Sequence, residues 1–199
     1  RGMKEWGDWL AVNKEISTFL VSDEVMTAMS DLPTPQGILA VMTLTSEDTP
    51  DFSGGWLLLD NVQDPGNVGT MIRTADAFGM AGVLLGKGTA DIYSTKVLRS
   101  MQGSNYHLPV LQKDLAEVIP VMKGKGFTVY GTELNEEAHA LDKVEKTEDF
   151  AIIMGNEGQG VSQEILSLTD QNVYIPMKGN AESLNVGVAA GIVLYHFSL

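Results

Sequence analysis

The chain has 199 residues, of which 44% are hydrophobic and 20% are charged, as is usual for a globular protein. Its length fits one full domain plus a fragment, or two small domains. It has no cysteine, which excludes disulfides, thiolate zinc sites and cysteine nucleophiles. No apolar run approaches the ~18–20 residues that span a bilayer, and the first residues lack the apolar core of a signal peptide, so we expect a cytoplasmic protein.

The net charge of −13 at first sight argues against a nucleic-acid partner, and an acidic enzyme with a small-molecule substrate is the alternative. The charge is unevenly distributed. Residues 1–60 hold ten acidic and three basic residues, whereas residues 85–112 hold one acidic and three basic residues, Lys87, Lys96 and Arg99. Because salt screens charges beyond ~8–10 Å, a local basic strip can bind phosphate on an acidic protein, and both kinds of partner stay open.

The N-terminal part predicts one helix and one strand. A capping residue and two acidic residues predict a helix over residues 22–30, and the apolar run Gly37–Leu44 predicts a strand. Residues 46–55 are polar, with one Pro and two Gly, and predict a linker. A lone helix and strand cannot bury a core, so we interpret residues 1–45 as the last part of a domain that begins before this chain.

From Trp56 onward, short apolar runs alternate with helix-like segments, which predicts an α/β fold with an open parallel sheet and helices on both faces. The predicted strands are Trp56–Leu59, Gly82–Leu85, Leu108–Leu111, Phe127–Tyr130, Phe150–Met154 and Val173–Ile175. The predicted helices are Val68–Phe78, Thr95–Met101, Asp114–Lys123, Ser162–Leu168 and Ser183 to about Phe197.

The last predicted helix has a surface of small residues formed by Gly187, Ala190 and Gly191. Small residues let another backbone approach closely. The neighbour is either the core of the same chain or a second subunit, and the sequence leaves both open.

Three polar loops follow predicted strands, at 61–73, 154–162 and 175–185. The carboxyl ends of parallel strands are where an open α/β sheet binds its ligands, so together these loops predict a binding site. The glycines of the second loop have the order G-x-x-G-x-G, which differs from the dinucleotide fingerprint G-x-G-x-x-G, and no P-loop is present.

The same loops resemble a known family. Asn67-x-Gly-x-x-x-Arg73, then Gly155-Asn-Glu-Gly-x-Gly-x-Ser162, then Ile175-Pro176 with Ser183-Leu-Asn-Val186 resemble, in order, motifs 1, 2 and 3 of the SpoU (TrmH-like) RNA 2′-O-ribose methyltransferases of the SPOUT superfamily. Residues 22–44 are similar to the end of the L30e-like RNA-binding domain that precedes many members.

The resemblance implies a domain organisation and a fold that general rules do not give. Residues 1–45 would be the C-terminal part of an L30e-like RNA-binding domain, residues 46–55 a linker, and residues 56–199 a SPOUT methyltransferase domain. The mostly parallel sheet would then end in a C-terminal deep trefoil knot, with S-adenosylmethionine bound in it. Family members are typically homodimers.

The implied reaction is S-adenosylmethionine-dependent 2′-O-ribose methylation of structured RNA, with a guanosine in 23S rRNA as the expected target and rRNA more expected than tRNA. A tRNA methyltransferase, or a non-catalytic RNA-binding module that retains the cofactor pocket, stays as an alternative. No metal is required, and His107, His139 and His196 lie in no ligand pattern.

By motif position, the resemblance implies a set of residues that wraps the cofactor. These are Thr132, Glu133, Leu134, Gly155, Asn156, Gly158, Ile175, Pro176, Met177, Ser183, Leu184 and Asn185. The catalytic set that it implies is Arg73, Asn67, Glu157, Ser183 and Asn185. The expected RNA contacts are Arg73, Lys96, Arg99 and Lys178.

Arg73 is the key residue of this interpretation. An arginine in a protein is effectively never deprotonated, so we expect it to act as a cation rather than as a general base. It would hold an RNA phosphate and stabilise charge on the attacking oxygen. An ion pair with Asp76 or Glu157 is the structural alternative.

Overall fold

The computed structural model describes residues 2–43 and 50–198, and it divides into two compact units, Arg1–Asp48 and Thr49–Leu199. Leu44, the last residue of the first predicted strand, and residues 46–49 of the predicted linker lie outside the described residues.

The first unit contains helices α1 (Gly2–Val12) and α2 (Asp23–Met29). The helix predicted over residues 22–30 is confirmed as α2, and the Ser22 hydroxyl caps it by accepting a hydrogen bond from the Val25 N–H at 3.4 Å. The strand prediction over Gly37–Leu44 is wrong for the described residues 37–43, which have irregular backbone. A strand exists only when a neighbour pairs with it, and none of the described strands does so here.

The second unit is built on a seven-stranded sheet. Its strands are β1 (Gly55–Leu59), β2 (Gly82–Leu85), β3 (Val110–Gln112), β4 (Thr128–Thr132), β5 (His139–Ala140), β6 (Phe150–Met154) and β7 (Gln171–Tyr174). The strand order is β3-β2-β1-β6-β4-β7-β5, and every pairing is parallel. The six predicted strands are confirmed with shifted ends. Strand β5 was not predicted because two residues are too few to show a pattern of apolar residues.

Five helices connect these strands. They are α3 (Pro65–Ala77), α4 (Thr95–Met101), α5 (Leu115–Gly124), α6 (Gln163–Leu166) and α7 (Val186–Ser198). Single turns of 3-10 helix lie at Ser104–Tyr106 and Leu141–Lys143. The side chains of Asp64, Ser94, Asp114 and Ser162 each accept a backbone hydrogen bond at the start of the helix that follows.

Helices cover both faces of the sheet, as predicted. Along β1, Leu57 and Leu59 pack in a core with residues of α3, α4 and α7, while Trp56 and Leu58 pack in a second core with residues of α5 and α6. Successive strand residues point to opposite faces, so a strand buried on both faces is apolar throughout, which is what the sequence shows.

Helix α7 starts at Val186 and not at the predicted Ser183. The Asn185 Oδ1 accepts hydrogen bonds from the N–H groups of Gly187 and Val188, at 2.9 and 3.3 Å, so Asn185 caps the helix and the residues before it are irregular. The small-residue surface packs on α3 of the same chain, since a Cβ built on Gly187 would lie 3.5 Å from Thr70 Cγ2. The core-packing interpretation of that surface is therefore supported.

Candidate functional site

The three polar loops start at the same edge of the sheet. Strand β1 pairs with β6, β6 with β4, and β4 with β7, so four neighbouring strands end side by side. In register, Leu59 lies opposite Met154 and Thr132 lies opposite Val173. The sheet thus brings together loops that are far apart in the sequence.

A chain of side-chain hydrogen bonds joins these loops. The Asn67 amide on α3 donates from Nδ2 to Glu157 Oε1 at 3.0 Å, and the Asn185 amide donates from Nδ2 to Asn67 Oδ1 at 3.1 Å. Asn67 belongs to the first loop region, Glu157 to the second and Asn185 to the third. Three of the five predicted catalytic residues are therefore in direct contact through Asn67.

The Glu157 carboxylate also holds the first loop. It accepts hydrogen bonds from the backbone N–H groups of Gln63 at 3.2 Å and Asp64 at 3.1 Å. Burial raises the pKa of Glu157, but the hydrogen bonds from Asn67 and from backbone N–H groups outweigh it and hold the pKa below its ordinary value. Glu157 is thus a carboxylate at neutral pH, acting as an acceptor that fixes two loops.

The loop after β6 is closed by its own atoms. Asn156 and Gly160 exchange two backbone hydrogen bonds of 2.9 Å, and Asn156 Oδ1 accepts from the N–H groups of Gly158 and Gln159 at 2.9 and 3.1 Å. A Cβ built on Gly155 would lie 2.1 Å from the backbone of Gly160 and Val161, so only glycine fits there.

Two residues that the sequence analysis did not single out fix this loop to β1. The buried Asp60 accepts from the Ser162 N–H through Oδ2 at 2.7 Å, and the Asn61 carbonyl accepts from Asn156 Nδ2 at 3.0 Å. Asn61 has a φ of 55°, in the left-handed region. An Asp-Asn pair directly after a buried strand is the sequence feature that could have indicated them.

The first turn of α3 carries an ion pair. Asp64 Oδ1 accepts from the Asn67 N–H at 2.9 Å, and Asp64 Oδ2 lies 3.0 Å from Lys96 Nζ on α4. The hydrogen bond from Lys96, and then that from the Asn67 N–H, lower the pKa of Asp64. Lys96, a predicted RNA contact, therefore already has an anionic partner that neutralises part of its charge.

Arg73 is exposed and stands apart from the Glu157–Asn67–Asn185 chain of hydrogen bonds. Six residues separate it from Asn67, which corresponds to about 9 Å along the helix axis and about 120° around it. Both acids considered as its ion-pair partners bond elsewhere, Asp76 to His107 Nδ1 at 2.8 Å and Glu157 as described. Among the side chains that the structure describes, Arg73 forms no ion pair.

The loop after β7 differs from the others. Among the described residues, the segment from Ile175 to Leu184 forms no hydrogen bond, and Ser183 is exposed within it. Ile175 and Leu184 are half-buried, and Ile175 packs on the core. Pro176, Met177 and Lys178 are exposed.

The end of β4 and the residues after it contact β6, β7 and the loop after β6. Thr132 Oγ1 donates to the Ile153 carbonyl at 2.8 Å, and the Glu133 N–H donates to the Val173 carbonyl at 3.1 Å. A Cβ built on Gly160 would lie 3.5 Å from Glu133 Oε2, so the Glu133 side chain reaches the loop after β6. Leu134 is 71% exposed, a large apolar side chain available to a ligand.

No group of three or more His, Asp or Glu side chains in the described part of the chain is placed to hold a metal ion. None of the described helices combines the length and apolarity that crossing a membrane requires.

Comparison with known proteins gives a family match. The model of the SpoU rRNA Methylase family matches residues 56–195. The chain is 46% identical over 181 residues to the 23S rRNA (guanosine(2553)-2′-O)-methyltransferase RlmP of Bacillus subtilis, an alignment that covers 91% of this chain and 72% of that protein. It is 36% identical to an uncharacterised tRNA/rRNA methyltransferase of Synechocystis, over 92% of this chain and 67% of that protein.

Solved structures agree with this match. The SpoU methyltransferase AviRb of Streptomyces viridochromogenes, in complex with AdoMet, superposes with a TM-score of 0.86 at 27% identity, over 100% of this chain and 78% of that one. An AdoMet-bound rRNA methyltransferase of Sinorhizobium meliloti superposes with a TM-score of 0.85 at 28% identity, over 96% of this chain and 76% of that one.

Proposed function

Because this chain belongs to the SpoU rRNA methylase family, we propose that it is an S-adenosylmethionine-dependent RNA 2′-O-ribose methyltransferase that modifies a guanosine of 23S rRNA. The observation that supports this most strongly is the contact of Asn67 with both Glu157 and Asn185, which joins all three motif regions at one edge of the sheet. With ribosomal RNA as its substrate, the protein would act in the cytoplasm.

The residues at this edge fit S-adenosylmethionine. Adenine and a methionine carboxylate are recognised by N–H and C=O groups, and the main chain of Ile175–Leu184 forms no hydrogen bond with the described residues. Leu134 and Met177, 71% and 41% exposed, provide apolar surface at the ends of the neighbouring strands β4 and β7. The cofactor supplies an electrophilic methyl group, and the protein positions the ribose.

We assign the holding of the cofactor to the strand-end loops. Gly155 lets the backbone after β6 come close, and Thr132 and Glu133 fix the end of β4 against its neighbours. The remaining predicted contacts lie in the same loops, at Asn156, Gly158, Pro176, Ser183, Leu184 and Asn185.

The Glu157–Asn67–Asn185 chain of hydrogen bonds would position the ribose. Asn67 donates to Glu157 and accepts from Asn185, so each hydrogen bond fixes the orientation of the neighbouring side chain. The three side chains therefore act as one unit. Glu157 and Asn185 also bond backbone N–H groups, at the first loop and at α7. These side chains therefore connect the loops after β1, β6 and β7, and the distances between those loops determine the shape of the pocket.

Arg73 would act on the RNA as a cation. It is exposed and has no ion-pair partner within the described residues, so its charge is available to a phosphate or to an oxygen that becomes negative during transfer. Arg99 and Lys178 are exposed as well and would contact phosphates. Lys96 would contact a phosphate once its ion pair with Asp64 weakens.

The Arg73→Ala variant tests this role. We expect at least a 100-fold loss of methyl transfer with an affinity for S-adenosylmethionine within twofold of the wild type, because the guanidinium lies outside the cofactor loops. Transfer assays and isothermal titration calorimetry measure the two quantities. Near-normal turnover would contradict the role.

The function itself is tested with labelled S-adenosylmethionine and transcripts of 23S rRNA and tRNA that carry no modification. We expect label at the 2′-oxygen of one guanosine of the 23S transcript, mapped by resistance of the next phosphodiester to alkali. Label in tRNA alone would favour the tRNA alternative. Cofactor binding without transfer to either RNA would favour the non-catalytic module.

Three structural features also belong to the proposal. Residues 1–45 would be the end of an L30e-like RNA-binding domain, and the last part of the chain would form the trefoil knot. The chain would act as a homodimer through the outer face of α7, where Val188, Ile192 and Tyr195 are 54%, 40% and 53% exposed. Sedimentation of the wild type against a Val188→Glu variant tests the dimer.

A further inference from the structure

The turn between α4 and β3 presents an exposed aromatic ring from a firmly anchored backbone. Tyr106 is 70% exposed, whereas Ser104 in the same turn is 4% exposed. The next side chain, His107, lies with Nδ1 2.8 Å from Asp76 Oδ2 on α3. The Ser104 hydroxyl bonds the same carboxylate, and both hydrogen bonds lower the pKa of Asp76. The turn is therefore fixed to α3 on both sides of Tyr106.

The backbone of the turn is fixed as well. Gln102 and Gly103 have φ values of 55° and 88°, so two successive left-handed residues end α4 and redirect the chain. The Tyr106 N–H donates to the Gly103 carbonyl at 3.0 Å, and Leu108, which follows the turn, is buried in the core. Because the backbone of this turn is already ordered, a ligand that packs on the Tyr106 ring pays little for ordering the main chain.

Two exposed arginines lie on the helices next to this turn, Arg73 on α3 and Arg99 on α4. Arg73 lies one helical turn before Asp76, about 4.5 Å along the axis of α3, and Arg99 lies four residues before Gly103 at the end of α4. Both are exposed, and neither forms an ion pair with any residue that the structure describes. The surface thus combines an aromatic face with two cations on a protein whose net charge is −13.

We propose that Tyr106 is a stacking platform for an unpaired base of the RNA substrate, with Arg73 and Arg99 binding the phosphates beside that base. Proteins read RNA mainly at unstacked nucleotides, whose bases stack on aromatic side chains while cations hold the backbone. Because Arg73 is also placed in the transfer reaction, the base belongs to a nucleotide near the methylated one. This inference rests on the proposed function and names the part of the surface that selects the RNA.

The test separates RNA binding from catalysis. Filter binding of an unmodified 23S rRNA transcript is measured without S-adenosylmethionine for the wild type and for Tyr106→Phe, Tyr106→Leu and Val121→Ala. Val121 is 51% exposed on α5, on the opposite face of the sheet, and serves as the matched control. Thermal unfolding and cofactor affinity establish that each variant is folded.

We expect Tyr106→Leu to raise Kd about tenfold, which corresponds to about 1.4 kcal/mol. Tyr106→Phe, which keeps the ring, should stay within twofold of the wild type, as should Val121→Ala. In transfer assays, Tyr106→Leu should raise KM by a similar factor with kcat within twofold.

The inference is overturned if Tyr106→Leu binds RNA as the wild type does, or if Tyr106→Phe is as impaired as Tyr106→Leu. Absence of RNA binding by the wild type would overturn it too. Failure of the proposed function gives a different result, in which wild-type protein binds RNA with the expected dependence on Tyr106 and transfers no methyl group.

Discussion

The loop after β6 and the loop after β7 lie at the same edge of the sheet, and both carry glycines. In the first, Asn156 bonds Gly158, Gln159 and Gly160, so the loop keeps its shape by itself. In the second, the segment Ile175–Leu184 forms no hydrogen bond with the described residues. Under the proposed function, the first loop would form a rigid wall of the cofactor site and the second would bond the cofactor through its main chain.

The largest effect should follow from adding a methyl group to the rigid loop. In Gly155→Ala the new Cβ would meet backbone atoms at 2.1 Å, which cannot move without breaking the loop. We expect a stability loss of about 2–3 kcal/mol and loss of transfer. Urea unfolding and transfer assays measure these.

The loop after β7 supplies the control for that change. Gly179 has no atom within 4 Å of a Cβ built on it, so Gly179→Ala should alter stability by less than about 0.5 kcal/mol. Equal stability of the two variants would remove the contrast between the loops.

The next effect concerns the link between the rigid loop and α3. In Glu157→Gln one of the two acceptor oxygens becomes a donor that faces a backbone N–H or the Asn67 amide. We expect transfer to fall about 10–100-fold, through misplacement of Asn67. The exposed Glu164 on the adjacent α6 provides the control variant Glu164→Gln. Wild-type kinetics for Glu157→Gln would show that the link does not position the ribose.

A smaller effect should appear when ligand binds the second loop. Lys178 lies in that loop and is exposed, so trypsin can cleave after it. We expect saturating S-adenosylmethionine to slow this cleavage about tenfold, because hydrogen bonds to the cofactor would order the main chain of this loop. Cleavage after the exposed Lys146 should be unchanged, with mass spectrometry reporting both sites. Equal rates at Lys178 with and without cofactor would contradict this use of the loop.

The smallest effect is on stability in acid. Since the pKa of Glu157 is lower in the folded than in the unfolded protein, its contribution is complete above the unfolded value of 4.5 and is lost as the pH falls through the folded value. Solvent screens this carboxylate, so the contribution is less than about 1 kcal/mol. The stability difference between wild type and Glu157→Gln should shrink below pH 4.5, as followed by urea unfolding. A constant difference would contradict it.

The buried sheet was predictable because its strands are apolar on both faces. Phe150–Met154 is buried at every residue, and a short run that is apolar throughout is typical of a strand covered on both faces. Gly37–Leu44 has a similar composition, yet its described residues have no strand beside them. The local sequence does not show whether another strand will pair with such a segment. Strand β5 could not be predicted because two residues are too few to show a hydrophobic pattern.

The candidate site was predicted from a resemblance rather than from spacing. The motifs indicated Asn67, Glu157 and Asn185, but nothing local shows that Asn67 lies between the other two. The bond of Asp76 to His107 was missed because it joins α3 to a turn beyond the next helix. Ser183 and Arg73 were grouped with the catalytic residues by motif, and the described residues place neither in the chain of hydrogen bonds.

The bonds of Asn67 span long stretches of the polypeptide, 90 residues to Glu157 and 118 residues to Asn185. Contacts between such distant residues are slow to form, because the intervening chain must first be ordered. A nascent chain still lacking Asn185 contains two motifs and no complete site. The Glu157–Asn67–Asn185 chain of hydrogen bonds can therefore be complete only after Asn185 has been synthesised.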